Sequence, residues 1–267
     1  MVTTISCMSA NYVARPLGYR MTEGWSQGDA ATNAAFQPLE TYAERLGALL
    51  AEVRALGFEA VDLWLAHLHP SWATDEHVGI ARDLLAEHRL ELVSLAGGFG
   101  GDRESFLRSC RLAAALGVRI LGGDTPLLGS DRAFVTDTLR EHGCVLGVEN
   151  HPETSPQQLL ARIGDDARGT IGATLDTGWF GTHGYDPVAA VHELADALVH
   201  VHLKDVLAVG SHDTCRFGQG VVPIQACVRA LLEVGYEGPI SIEHEPADSD
   251  PSEDLRSNLR MLQAWLR

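Results

Sequence analysis

Four segments of this chain end an apolar, strand-like run on a carboxylate or an imidazole. In CVLGVENHP the run ends on Glu149, and Pro152 then stops regular backbone hydrogen bonding. The segments GTIGATLDTG, ALVHVHLKD and GPISIEHEP repeat this arrangement and end on Asp176, His202 and Glu243. Three carboxylates and an imidazole that meet without a compensating charge repel one another and lose hydration. The residue types therefore predict a divalent metal site, and mixed oxygen and nitrogen ligands suit Mn²⁺, Mg²⁺, Co²⁺ or Zn²⁺.

Whether these groups meet depends on the elements that carry them. From Pro38 onward, helical and strand-like segments alternate, as in the amphipathic stretch PLETYAERLGALLAEVRALG and the strand FEAVDLWLAHL that follows it. Thr74 is of a residue type that caps helix N-termini, and it precedes the next predicted helix. Together with a first strand, TTISCMS, the chain contains eight predicted strands and eight predicted helices.

Apolar strands that alternate with helices predict a parallel sheet, and eight such units close a barrel. The predicted fold class is therefore α/β, with one (β/α)8 TIM barrel over residues 1–267. An open doubly wound sheet is the competing architecture, but no GxGxxG turn follows the first strand. The carboxyl ends of all barrel strands share one face, so the four polar groups are expected to converge there from strands five to eight.

A long segment at about residues 10–37 separates the first strand from the first predicted helix. It is expected to be irregular and to cover the mouth of the site as a loop, because it combines glycines and small polar residues with aromatic and arginine side chains. Disordered tails contain few aromatic residues, whereas aromatic rings stack on sugars. Trp25 in this segment is therefore a candidate substrate-binding residue.

Composition excludes several classes of function. The formal charge of -16, from 36 acidic and 20 basic residues, disfavours nucleic acid and anionic membranes as partners. No apolar run reaches the roughly 18 residues of a membrane helix, and the amino terminus lacks the pattern of a signal peptide. Five scattered cysteines without a CxxC pair are typical of free thiols in a reducing compartment. A cytoplasmic location is expected.

The motifs GVENHP, LDTGWFGTHGYDP, HVHLKD, FGQGVVPI and YEGPISIEHEP also carry a resemblance that covers nearly the whole chain. They resemble the sugar phosphate isomerase/epimerase superfamily, whose members have a xylose-isomerase-like barrel. The resemblance implies Glu149, Asp176, His202 and Glu243 as ligands of one divalent metal, with Mn²⁺ favoured. It also implies Glu149 and Glu243 as the acid/base pair, and Arg216 in CRFGQG as a contact to substrate oxygens.

One motif departs from the family pattern. Many relatives carry a histidine three residues after the aspartate, where this chain has Trp179. His183 lies four residues further along and could take over that role. This difference leaves the specific substrate open.

Further residues near the strand ends are candidates for binding a carbohydrate substrate. They are His67 at the end of strand two, His151 two residues beyond Glu149, and Lys204 in HLKD. Each could instead be a satisfied or ion-paired group at the barrel rim. Arg15, Arg20 and Arg216 could hold a phosphate or the hydroxyls of a free sugar, and the sequence does not distinguish these.

The chemistry predicted for this site is proton abstraction next to a carbonyl. The metal polarises the sugar oxygens and stabilises an enediolate while Glu149 or Glu243 takes the proton. Returning the proton gives an isomerase or epimerase, whereas loss of a β leaving group gives a lyase or dehydratase of keto-sugars or keto-glycosides, as in inosose dehydratases. Remote alternatives are a phosphodiesterase resembling endonuclease IV and a non-catalytic binding protein. Assembly into a homo-oligomer is left open.

Overall fold

The polar groups are carried by a closed parallel barrel. The structure is a computed structural model that describes residues 3–166 and 169–267. The barrel strands are β1 (Ile5–Met8), β2 (Ala60–Trp64), β3 (Glu91–Gly98), β4 (Ile120–Asp124), β5 (Val145–Glu149), β6 (Ile171–Asp176), β7 (Leu198–Leu203) and β10 (Ile240–Ile242). They pair in parallel around the ring in the order β1, β10, β7, β6, β5, β4, β3, β2. The predicted single (β/α)8 barrel is confirmed.

Helices follow the strands and cover the barrel. They are α1 (Trp25–Phe36), α2 (Leu39–Ala55), α3 (Asp75–His88), α4 (Arg103–Leu116), α5 (Leu127–Ser130), α6 (Arg132–His142), α7 (Pro156–Ile163), α8 (Thr177–Thr182), α9 (Pro187–Leu194), α10 (Ile224–Glu233) and α11 (Ser252–Trp265). Thr74 caps α3 as predicted, because its side chain accepts a hydrogen bond from the backbone N–H of His77. None of the helices in the described residues is long and apolar enough to cross a membrane.

The strands are buried on both faces, as expected for a parallel sheet covered by helices. Every residue of β2 and of β6 is buried. Strand β6 pairs with β7 so that Asp176 lies opposite His202, and β7 pairs with β10 so that His202 lies opposite Ser241. This register brings polar side chains from neighbouring strands to the same level of the barrel.

The segment at residues 10–37 is not irregular throughout, which corrects the expectation from its composition. It contains α1 and two 3₁₀ turns, Ser9–Tyr12 and Arg15–Leu17. Gly28 lies so close to Val13 that an added Cβ would come within 2.6 Å of Val13 Cγ2. Alanines, which have high helix propensity, favour the helix α1. Gly28 permits the close contact between α1 and Val13, which composition alone does not reveal.

A short antiparallel pair, β8 (Asp205–Val206) and β9 (Thr214–Cys215), was not predicted. Asp205 stabilises the turn that follows it: its carboxylate accepts hydrogen bonds from the backbone N–H groups of Gly218, Gly220 and Val222 at 2.9–3.1 Å. The FGQGVVPI motif is thus attached to β8, just after β7, through a buried carboxylate.

Candidate active site

A cavity of about 1170 Å³ opens at the carboxyl ends of the barrel strands. Glu149 is the last residue of β5 and Asp176 the last of β6, while His202 lies in β7 and Glu243 directly follows β10. Glu149, His202 and Glu243 line the cavity. The four groups singled out in the sequence therefore lie at one end of one barrel.

His202 is the centre of this arrangement. Its Nδ1 is 2.7 Å from Glu149 Oε1 and 3.0 Å from Glu243 Oε2, and its Nε2 is 3.0 Å from Asp62 Oδ2. Burial alone would lower the pKa of His202, but the carboxylates of Glu149 and Glu243 raise it well above its ordinary value. The surrounding carboxylates therefore favour the protonated form of His202, in which each ring nitrogen donates a hydrogen bond.

The donor atoms of this cluster fit a divalent cation. Ligand atoms of Glu149, His202 and Glu243 all lie within 4.8 Å of one another. The single hydrogen on His202 Nδ1 bonds to Glu149, and Glu243 Oε2 is buried without a hydrogen-bond donor. An orphaned carboxylate oxygen next to a nitrogen and a second carboxylate is the donor set that oxygen- and nitrogen-preferring metals bind.

Asp176, the fourth predicted ligand, belongs to a neighbouring group that shares Glu149. Its ligand atom clusters with those of Glu149 and His151. Asp176 Oδ1 caps α8 by accepting hydrogen bonds from the backbone N–H groups of Gly178 and Trp179 at 2.8 and 3.1 Å. Asp176 Oδ2 remains for His151 Nε2 at 3.1 Å and for the ammonium of Lys204 at 3.0 Å.

Lys204 lies among the carboxylates. Its Nζ is 3.0 Å from Asp176, 2.5 Å from Glu243 Oε1 and 3.4 Å from Glu245. Burial would lower the pKa of Lys204, but Asp176 and the two glutamates raise it well above its ordinary value. A protonated amine therefore neutralises part of the negative charge of the site.

His151 and Trp179 form one wall of the cavity. Their ring centroids are 4.2 Å apart, and His212 lies against the same indole at 5.0 Å. Trp179 thus occupies space beside Asp176 where many relatives are expected to have a histidine. His183 contacts Trp179 edge-on at 5.2 Å but is not among the cavity-lining residues.

Trp25 lies at the opposite wall. Its indole packs on Trp64 with centroids 5.1 Å apart, and its Nε1–H donates a hydrogen bond to Glu245 at 3.1 Å. Both tryptophans line the cavity. Segment 10–37 therefore supplies part of the wall through the first turn of α1.

Two further candidates lie away from the cavity. His67 is buried, hydrogen-bonded to Ser9 Oγ at 3.0 Å, and packed edge-on against Phe36 and Trp64. Arg216 is partly exposed and lies 3.8 Å from Asp254. The structure does not place either side chain in the cavity lining.

Two residues of the site, Asp62 and Glu245, were missed in the sequence. Asp62, in the middle of the apolar strand AVDLW, is fully buried and accepts hydrogen bonds from both His200 and His202. Glu245 lies in the cavity lining, and burial raises its pKa to about 7 against the opposing effect of Lys204. A carboxylate inside an apolar strand was the available signal for Asp62. Lys204 was among the residues singled out in the sequence, and it is the only lysine among the 20 basic residues of the chain.

Comparison with known proteins agrees with this architecture. The family model of the xylose isomerase-like TIM barrel matches residues 50–265. The rhizopine catabolism protein MocC of Rhizobium meliloti is 25% identical over 195 residues, which are 66% of this chain and 57% of that protein. The matches to curated relatives span 36–57% of the relatives' own length.

Solved structures with the same fold include a xylose isomerase-like TIM barrel protein from Mycobacterium smegmatis in complex with magnesium. It has a TM-score of 0.72 and 19% identity, covering 99% of this chain and 96% of that one. D-allulose 3-epimerase from Methylomonas sp. in complex with D-allulose has a TM-score of 0.69 and 16% identity, covering 98% and 97%. The probable 3-DHS dehydratase AsbF from Bacillus anthracis has a TM-score of 0.70 and 13% identity, covering 98% and 99%. Because the family model matches most of this chain, the chain belongs to the xylose isomerase-like TIM barrel family.

Proposed function

We propose that this protein is a divalent-metal-dependent enzyme that isomerises or epimerises a keto-sugar by moving a proton next to the carbonyl. One observation carries the proposal: two glutamates from different strands, Glu149 and Glu243, both approach the same nitrogen of His202 at 2.7 and 3.0 Å. Structural neighbours that are named as sugar epimerases support the reaction class.

Glu149, His202, Glu243 and Asp176 are the residues that would hold the metal. When bound, a divalent cation supplies a Lewis acid that polarises the sugar carbonyl and lowers the cost of negative charge on its oxygen. The magnesium complex of a structural neighbour supports such a cofactor. We propose Mn²⁺ or another oxygen-preferring ion, Mg²⁺, Co²⁺ or Zn²⁺.

Glu149 and Glu243 are proposed as the acid/base pair. Burial would raise the pKa of Glu149, but the positive charges of His151 and His202 hold it below its usual range, so its carboxylate is ionised and able to accept a proton. Glu243 receives the ammonium of Lys204 at Oε1. The two carboxylates come from strands that are three places apart in the barrel ring, so they reach a bound sugar from different sides.

A second candidate is a lyase that eliminates a β leaving group from a keto-sugar. The position of Lys204 favours this candidate. Its protonated amine lies beside Glu243 and Glu245 and can stabilise the negative charge on a departing oxygen. The dehydratase among the structural neighbours supports this reading. Both candidates share the first step, in which a proton is removed next to the carbonyl.

The proposal is tested by metal analysis combined with deuterium exchange. We expect about one divalent ion per chain after incubation with Mn²⁺ or Co²⁺, and exchange of the α-proton of a keto-sugar into D₂O. Glu149→Gln and His202→Gln should lose most of the metal and the exchange, whereas Glu233→Gln, at a surface ion pair on α10, should keep both. A folded wild type that binds no divalent metal and exchanges no proton would refute the proposal.

A further inference from the structure

The cavity has two aromatic walls on opposite sides of the barrel. Trp25 and Trp64 form one, and Trp64 ends β2; Trp179, His151 and His212 form the other, after β6. Strands β2 and β6 are four places apart in the ring of eight, so they are diametrically opposed. Glu149, at the end of β5, lies 3.8 Å from His151 of the second wall, whereas Glu243 follows β10, which is two places from both β2 and β6.

The space between these walls exceeds what one sugar ring needs. The cavity measures about 1170 Å³, whereas sites for drug-sized ligands occupy roughly 300–1,000 Å³. A single ring stacked on Trp179 beside Asp176 leaves the wall of Trp25 and Trp64 without a partner. Aromatic rings bind the apolar faces of sugars, so the second wall offers a place for a second ring.

The charge of the cavity selects against anions. The lining contains six acidic residues, which are Asp124, Glu149, Asp213, Glu243, Glu245 and Asp248. Among the described residues Lys204 is the only lysine or arginine in that lining, and its amine already contacts three carboxylates. Asp124 is paired with Arg162, and the other five carboxylates have no arginine and no second lysine beside them in the lining that the structure describes.

The arginines that could have held a phosphate are placed elsewhere. Arg15 forms an ion pair with Glu52, and Arg216 lies 3.8 Å from Asp254. Arg20 does not line the cavity either. A phosphate or carboxylate in the cavity would therefore meet carboxylates instead of the guanidinium groups that usually recognise such anions.

We infer that the substrate is an uncharged keto-sugar that carries a second ring, a keto-disaccharide or keto-glycoside. The keto ring binds beside Glu149 and Trp179, and the second ring stacks on Trp25 and Trp64. Sugar phosphates and sugar acids bind more weakly, because the described lining offers an anion no arginine and only a lysine that already contacts three carboxylates. This inference rests on the proposed function for the position of the reacting ring, but its statements on size and charge concern binding and can be measured without turnover.

The test compares three forms of the same ketose: the free sugar, its 6-phosphate and its glucosylated form. For fructose these are fructose, fructose 6-phosphate and maltulose, and the same three forms of tagatose are measured as well. Binding to the Mn²⁺-loaded protein is measured by titration calorimetry, and proton exchange in D₂O is followed in parallel. We expect the glucosylated ketoses to bind at least about tenfold more tightly than the free ketoses, and the phosphates at least about tenfold more weakly. Trp25→Leu should reduce the preference for the second ring by about 3- to 10-fold. Trp265→Leu, at a tryptophan stacked on Phe217 away from the cavity, should leave it unchanged.

The outcomes separate this inference from the proposed function. Tightest binding of the phosphates, or equal binding of free and glucosylated ketoses, would overturn the inference even if α-proton exchange occurs. Selective binding of the neutral glucosylated ligands without any exchange would support the inference and refute the proposed reaction. A preference for the second ring that survives Trp25→Leu would also overturn the proposed placement of that ring.

Discussion

Asp62 and His202 are hydrogen-bonded inside the barrel, with Asp62 Oδ2 3.0 Å from His202 Nε2. The same oxygen accepts hydrogen bonds from His200 Nε2 at 2.7 Å and from Ser241 Oγ at 2.9 Å. Burial would raise the pKa of Asp62, but the two histidines hold it well below its usual range, so the carboxylate is ionised. Asp62 therefore keeps a hydrogen on His202 Nε2 and turns Nδ1 toward Glu149 and Glu243.

The first prediction concerns this contact. Asp62→Asn should weaken binding of Mn²⁺ or Co²⁺ by about 10- to 100-fold, because His202 loses the partner that fixes its ring and its tautomer. The measurement is a metal titration followed by calorimetry or by the visible spectrum of bound Co²⁺. Ser241→Ala is the matched control, since it removes a hydrogen bond to the same oxygen but leaves the hydrogen bond between Asp62 and His202 in place. Unchanged affinity in a folded Asp62→Asn protein would contradict this role.

Lys204 supplies the second prediction. In the metal-free protein its ammonium is buried among three carboxylates, so Lys204→Met should lower the free energy of unfolding by about 3–5 kcal/mol. Added Mn²⁺ should then raise the melting temperature by more than it does in wild type, because it replaces the missing positive charge. Thermal melts with and without metal check this. An equal increase in both proteins would show that Lys204 does not balance the charge of the site.

The only lysine of the chain also allows a direct measurement. Protein labelled with ¹⁵N-lysine carries a single side-chain ammonium, so its NMR signal reports on Lys204 alone. We expect that signal to shift when a divalent metal is added. The same signal serves as the readout for the next variant.

The third prediction concerns Gly178, which leaves room for Lys204. An added Cβ would lie 2.5 Å from Lys204 Cγ and 2.7 Å from Cδ. Gly178→Ala should therefore displace the amine, shift its NMR signal, and lower stability by about 1–3 kcal/mol through overpacking. Gly79→Ala in α3 is the control, because nothing lies within 4 Å of its added Cβ, and there alanine should raise stability slightly. A Gly178→Ala protein as stable as wild type would contradict the packing argument.

The fourth prediction is a pH dependence of stability that arises from His67. Burial lowers the pKa of His67 to about 3 in the folded protein, from an ordinary value of 6.5. Between these values the unfolded chain binds more protons than the folded one, so stability falls as the pH is lowered from 6.5 toward 3. From pH 7 to pH 5 this residue should account for a loss of about 2 kcal/mol.

Urea unfolding at a series of pH values measures this effect. His67→Asn, which keeps a polar partner for Ser9, should lose less stability than wild type between pH 7 and pH 5. His192→Gln, at a histidine that is about half exposed on α9, should retain the wild-type slope. The same slope in His67→Asn would show that other groups cause the pH dependence.

The barrel and its polar strand ends followed from the sequence for a simple reason. Apolar runs of strand length alternate with amphipathic helices, and a parallel barrel places every strand end on one face. Glu149, Asp176, His202 and Glu243 could therefore be grouped without knowledge of any contact. Local patterns sufficed, because each of these residues lies within one position of the end of a strand.

The contacts between these groups became visible only in the folded chain. Asp62 and His202 are 140 positions apart in the sequence but are hydrogen-bonded across the interior of the barrel. Lys204 contacts Asp176 and, from a distant part of the chain, Glu243 and Glu245. The same holds for the arginines: their residue type allowed a phosphate site, but ion pairs with Glu52 and Asp254 leave Arg15 and Arg216 away from the cavity lining. Periodicity and residue type determine where a strand ends and what it carries there. Side-chain contacts between strands depend on register, close packing and charge pairing in three dimensions, which no local pattern encodes.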